Sequence, residues 1–380
     1  MGTMGTMSHT AGVSSPAVDL RVSLDQLLGE HALLAMFATQ KGYGGEKDFD
    51  AIAATLDENG VDLSEAIASV YGDEAGTKFL DGELLWRDHI GFFVDYTVGL
   101  AKEDQAAQKK AVGNLMGYNA AFANFLATAT ELPQDALADS IAEHITGLKG
   151  QIDAYAAKDY PTAYTNVRDA YAHMFMTGDT LAGGIAMQNP DEFAAGDVTQ
   201  SAADLRIALG RLLGEHAYLA MLATQKGYSG SPDFEAIAAA LDANSVDLGD
   251  AIASVYGDEA GKKFLDGKLL WRDHIRFFVD YTVGLAEKDT AAQEKAVKNL
   301  MGYNAASAAF FAGATGLPQE DLQAALEEHL MQLKGQIDAY AAGDYAKAYG
   351  LAREAYAHMY ELGTTLAGAI VSASPEKFSR

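Results

Sequence analysis

Residues 24–38 read LDQLLGEHALLAMFA, and residues 209–223 read LGRLLGEHAYLAMLA. In the first stretch Leu24, Leu27, Leu28, His31, Leu34, Ala35 and Ala38 return at the i, i+3, i+4, i+7 spacing that lines one face of an α-helix. The same period continues through Phe49, Ile52, Leu56, Asn59, Leu63 and Ile67. Leu85, His89, Phe92 and Tyr96 form a third stripe, and Val112, Leu115 and Phe122 a fourth. Leu137, Ile141, His144, Leu148 and Ile152 form a fifth, and Val167, Ala170, Tyr171, Met174 and Leu181 a sixth. No alternating run of any length competes with them, so the fold is expected to be all-α.

The recurrence of the opening stretch extends far beyond it. Residues 21–193 align with residues 206–378 at a constant offset of 185 without a gap, with 117 identities in 173 positions. Two tandem helical bundles are therefore expected, copy 1 over 21–193 and copy 2 over 206–380. Residues 1–20 read as a flexible leader or tag, and the small, polar 194–205 as a linker. Within each copy, Asp48, Asp104 and Asp159 stand where N-caps would open helices. The acid-histidine pairs Glu30-His31, Asp88-His89 and Glu143-His144 precede those caps by 17, 15 and 15 residues, counted from the histidine. Each copy thus reads as about six helices in three related αα-hairpins.

Composition narrows the chemistry. The 380 residues are 49% hydrophobic, enough for a sizeable core, and carry 27 Lys+Arg against 53 Asp+Glu for a formal charge of −26. Such a field repels nucleic acid and anionic membranes and attracts cations. No run approaches the ~20 apolar residues of a membrane span. The absence of cysteine removes disulfides, thiolate nucleophiles, Fe–S clusters and cysteine-based zinc sites. The copies carry 11 basic and 27 acidic residues against 15 and 23, or −16 and −8, so most of this charge is solvated surface.

Eight of the nine histidines fall at four positions present in both copies: His31/His216, His89/His274, His144/His329 and His173/His358. The first three sit on apolar stripes in one register of three diverged hairpins. Three imidazoles brought to one height would form a site for a transition metal such as copper or zinc, with Glu30, Asp88 and Glu143 (Glu215, Asp273 and Glu328 in copy 2) as outer partners. They could equally be core histidines bonded to neighbouring groups, or facing ligands of a haem. His173 and His358 are expected at the rim of the site, half exposed. Met116, Met174, Met301 and Met359 are possible soft ligands that helical spacing equally explains as core filler. Asn59 and Asn244 lie on an apolar stripe, where an amide must find partners. A di-iron site is disfavoured, since the residues three before the histidines are Leu28, Trp86, Ile141 and Ala170 where Glu would be needed. No EF-hand loop, phosphate-binding glycine loop, nucleophile elbow or His-Glu-x-x-His occurs.

The segments GEHAYLA, DFEAIAAALDANSVDLGDAIASVYGDEAG, HIGFFVDYTVGLA and AYAHMFMTGDTLA resemble an all-helical domain of secreted proteins from Gram-positive and related bacteria. That domain is often found behind one labelled copper amine oxidase N-terminal-like. The resemblance covers nearly all of both copies and implies an exported protein, without supplying an activity. The expectation is a non-enzymatic extracytoplasmic protein that binds a metal ion or haem, one site per bundle, for storage, scavenging or transfer. The alternative is a structural module whose tandem acidic bundles engage a protein partner or one another.

Overall fold

A computed structural model describes residues 13–193 and 201–378, and over these the chain is helical with no β-strand. It divides into two compact units, Pro16–Val198 and Thr199–Arg380, the latter together with residues 13–15. The first unit contains α1 (Pro16–Gly44), α2 (Phe49–Tyr71), α3 (Asp73–Asp81), α4 (Trp86–Ala101), α5 (Gln105–Thr130), α6 (Gln134–Ala156), α7 (Tyr160–Gln188) and the short α8 (Pro190–Phe193). The second repeats the order as α9 (Ser201–Ser229), α10 (Phe234–Tyr256), α11 (Asp258–Asp266), α12 (Trp271–Ala286), α13 (Thr290–Thr315), α14 (Gln319–Ala341) and α15 (Tyr345–Ala373), and ends in a 3₁₀ turn at Pro375–Lys377.

The hairpins pair α1 with α2, α4 with α5 and α6 with α7. Helix α1 also packs against α4, α6 and α7 and so runs through the middle of the bundle. Every residue from Leu28 to Lys41 is buried, which explains why the opening stretch is apolar nearly all the way round. Helix α9 occupies the same place among α10, α12, α14 and α15.

Three expectations need correction. A seventh helix, α3, stands between the first two hairpins; at nine residues it is too short to show a period, although Gly76, Phe79 and Leu80 are buried on it. Its start is set by Gly72, whose φ of +86° ends α2 and turns the chain. The first bundle begins at Pro16 rather than residue 21, because Ala17, Val18 and Val22 extend the buried stripe backwards and proline suits a first turn. The linker is likewise shorter, since Ser201–Leu205 already belong to α9 with Ala202 and Ala203 buried. The rest of the expected leader and linker, 1–12 and 194–200, lies outside the described residues.

The capping aspartates divide. Asp104 accepts the N–H groups of Ala106 and Ala107 at 3.0 Å, and Asp159 that of Thr162 at 3.4 Å. Asp48 makes no cap bond and turns inward to the ammonium of Lys41, 2.6 Å away and as buried as itself. Asn59, fully buried, donates to the Leu27 carbonyl at 3.0 Å and to Glu30 Oε2 at 2.9 Å, tying α2 to α1.

Candidate metal centre

Three helices deliver one histidine each to a common point: α1 gives His31, the first turn of α4 gives His89, and α6 gives His144. One ring nitrogen from each lies within 4.8 Å of the other two, and the Nε2 atoms of His31 and His89 are 3.3 Å apart. Copy 2 builds the same triad from His216, His274 and His329, again with 3.3 Å between the first two Nε2 atoms. Hairpins of one register, packed about one central helix, put equivalent side chains at equal height.

The surroundings are apolar and aromatic. Trp86 lies against His31 with ring centroids 4.5 Å apart, and Tyr118 stacks on His89 at 4.5 Å. Trp271 and Tyr303 repeat both contacts at 4.6 and 4.5 Å. No triad residue is more than 6% exposed. Burial, reinforced by the neighbouring imidazoles, pushes His31 and His216 well below the ordinary histidine range. Burial likewise lowers His89, His144, His274 and His329 to about 3. All six are therefore neutral at pH 7, the form that ligates metal.

Polar satisfaction is incomplete here. Nδ1 of His31 and of His144 and both ring nitrogens of His329 are buried without a hydrogen-bond partner. Groups of this kind ordinarily find partners in a folded interior. In copy 2 the His274 Nδ1 is bonded to the Trp271 carbonyl, which fixes that ring and leaves Nε2 directed at His216.

The expected outer partners lie elsewhere. Adjacent helical residues point about 100° apart, so each acid is turned from the triad by the histidine beside it. Glu30 (Glu215) is buried on Asn59 (Asn244). Asp88 and Asp273 accept the backbone N–H groups of Leu84 and Leu269 at 2.7 and 2.8 Å, bracing residues held at positive φ. Glu143 and Glu328 are solvent-facing, 3.6 and 4.0 Å from Nδ1 of His173 and His358.

His173 and His358 are 7% and 5% exposed rather than half exposed. Their Nε2 atoms meet the carbonyls of Ser140 at 3.0 Å and Ala325 at 2.8 Å, so they stand outside the triad, each ring held by a backbone carbonyl. Met116 is 49% exposed and Met301 partly so, whereas Met174 and Met359 are buried filler, and none joins a candidate metal cluster among the described residues. Tyr118 does not stand out in the sequence, where it is one apolar-face residue among many. The available signal is its identity with Tyr303 in a stretch, 111–121, that matches its counterpart at all but one position.

Among the described residues no helix is long and apolar enough to cross a membrane. Comparison of the chain with protein-family models, with curated proteins and with solved structures gives no match.

Proposed function

We propose that each bundle binds one transition-metal ion through its three histidines, and that the chain is a non-enzymatic, extracytoplasmic carrier or store with two equivalent sites. The observation that carries this reading is the 3.3 Å between facing Nε2 atoms in both copies. Two imidazoles bound to one ion at about 2.0–2.1 Å place their nitrogens roughly 3.3–3.6 Å apart. The unpartnered ring nitrogens of His144 and His329 support it further, because an ion in that place would satisfy one on each ring. The extracytoplasmic setting rests on the resemblance of the helical segments to a secreted domain.

Among the candidate ions, monovalent copper suits the site better than zinc. The triad is three neutral imidazoles with no carboxylate among them. A divalent ion would bring two charges into an aromatic core, whereas copper(I) brings one and is content with few ligands. Haem suits it less well. Nitrogens 3.3 Å apart leave no slot for a macrocycle, and the Trp86 and Tyr118 rings already cover the histidines.

The test is titration of the metal-free protein with copper(I) under a competing chelator, and separately with zinc. Two equivalents of copper bound per chain, one after His31→Leu and none after His31→Leu with His216→Leu, is the expected result. Unchanged melting of the parent protein with either ion in excess would sink the reading, since an ion that prefers the native state must raise stability. The triads would then be structural histidines, as the interaction-module reading holds.

A further inference from the structure

Each bundle has a second feature beside its triad. A cavity of about 360 Å³ opens between α1, α2 and α4 and ends on His89, and one of about 320 Å³ ends on His274 and His216 in copy 2. Ala38, Phe49, Leu56, Phe93 and Val94 form its apolar wall. Every apolar lining residue has an identical counterpart 185 positions on, although about a third of positions differ between copies overall. The polar rim drifted instead: Glu46, Lys47 and Asp50 are Ser231, Pro232 and Glu235 in copy 2. The threonine hydroxyls within are already engaged. Thr97 donates to the Phe93 carbonyl at 2.8 Å, and Thr39 donates to Met36 at 2.8 Å while accepting from Gln151 at 2.7 Å. At the mouth, Val94 and Val98 are 36% and 42% exposed, and Val279 and Val283 39% and 48%.

We infer that each cavity is a binding site for one slender, uncharged apolar molecule, of the class of a medium-chain alkyl alcohol, lodged beside the triad. An apolar cavity of about 150 Å³ holds a benzene, so about twice that volume holds roughly ten to twelve carbon atoms. Apart from the neutral imidazoles at its end, the wall is apolar or internally bonded and offers nothing to a buried charge. An acid at the rim of both copies, Asp50 or Glu235, and the chain's charge of −26 select against an anionic head group such as a fatty carboxylate. The exposed valines give the alkyl chain a path inward. This inference does not depend on the metal reading, because the cavity stands in the protein whether or not an ion is bound.

The experiment is calorimetric titration of chelator-treated, full-length protein with 1-decanol and, at pH 8, with decanoate. Two decanol sites per chain are expected, with decanoate at least tenfold weaker. Ala38→Phe with Ala223→Phe fills both cavities, and Val94→Trp with Val279→Trp covers both mouths; each pair should weaken decanol binding at least tenfold. The second pair lies near the surface, so its result stands even if the first pair does not fold. Absent decanol binding, equal binding of decanoate, or decanol affinity unmoved by the covering pair would overturn the proposal. Copper stoichiometry is measured on the same variants, so a failed metal reading and a failed cavity reading register in different titrations.

Discussion

The two bundles share their triads to within a tenth of an ångström in the closest contact, and differ in what surrounds them. Copy 1 buries Asp25 completely, beside Asp179 and Arg21, and burial pushes its carboxyl well above the usual range. Copy 2 has Gly210 there, with the Tyr360 ring packed so closely that an added Cβ would approach it to 2.8 Å. Arg21 grips Asp179, whereas Arg206 bonds Thr364 at 3.0 Å and the Val13 carbonyl at 3.1 Å. The Trp86 indole N–H is buried without a partner, whereas Trp271 donates to Ser245 at 3.1 Å. Copy 2 thus lacks the buried acid and gives its indole a partner, so the surroundings of the triads differ between the copies while the three imidazoles are the same.

Acid gives the largest expected effect and tests what the bundles have in common. Unfolded histidine takes up a proton near pH 6.5, but the buried rings are lowered to about 3 or further, so the unfolded chain binds more protons between those values. Stability is therefore complete above about pH 6.5 and falls as pH drops toward 3. Each tenfold loss of proton affinity on folding corresponds to about 1.4 kcal/mol, so three histidines make this several kcal/mol for each bundle. Hydrogen exchange followed separately over α1 and α9 should show both opening together. Protection that is flat from pH 7 to 4 in either helix would contradict the neutral triad there.

Asp25 separates the bundles and acts in the opposite direction. Its folded carboxyl holds a proton that the unfolded chain releases near pH 3.8, so copy 1 loses stability as pH rises from there through the raised folded value. Asp25→Asn keeps the shape and removes the titration. We expect copy 1 to gain about 1–3 kcal/mol at neutral pH and little at pH 4. Urea unfolding at both values reads the difference, and an equal gain at both would remove titration as the cause.

Next in size is the indole. Gly60→Ser should give Trp86 the partner that Trp271 has, raising copy 1 by about 0.5–1.5 kcal/mol, while Ser245→Gly lowers copy 2 by a similar amount. A Cβ at Gly60 would lie 3.1 Å from Trp86 Nε1, close enough that the indole must shift slightly. Copy 2 accommodates that atom with the same tryptophan, so the shift is available. Melting temperatures that move in the same direction for both substitutions would break the equivalence of the two sites.

How much of this is legible in the sequence depends on whether the feature has a period. The six long helices, the duplication and the convergence of His31, His89 and His144 all follow from register, which a periodic pattern displays. Helix α3 has too few turns to show one. The acids beside the histidines mislead for another reason: sequence adjacency suggests partnership, while a 100° turn per residue sends Asp88 to the Leu84 amide and Glu143 to solvent. The rims of the cavities and the inward turn of Asp48 onto Lys41 belong to tertiary packing between helices, and no local pattern announces them.

The smallest expected effect concerns two helix ends. Glu131 and Lys158 hold left-handed backbone at φ 56° and 62°, and copy 2 has Gly316 and Gly343 at the same places with φ 74° and 78°. A side chain there crowds its own carbonyl, which glycine avoids, although glycine also loosens the unfolded chain. Glu131→Gly and Lys158→Gly should each stabilise copy 1 by about 0.5–1 kcal/mol, and Gly316→Glu and Gly343→Lys should cost copy 2 as much. The pair carries its own control, because one substitution removes a negative charge and the other a positive one from the same acidic bundle. If surface charge were the cause, the two would shift the urea midpoint of copy 1 in opposite directions. Shifts of one sign and similar size assign the effect to the backbone, and opposite signs would remove helix-end strain from the difference between the bundles.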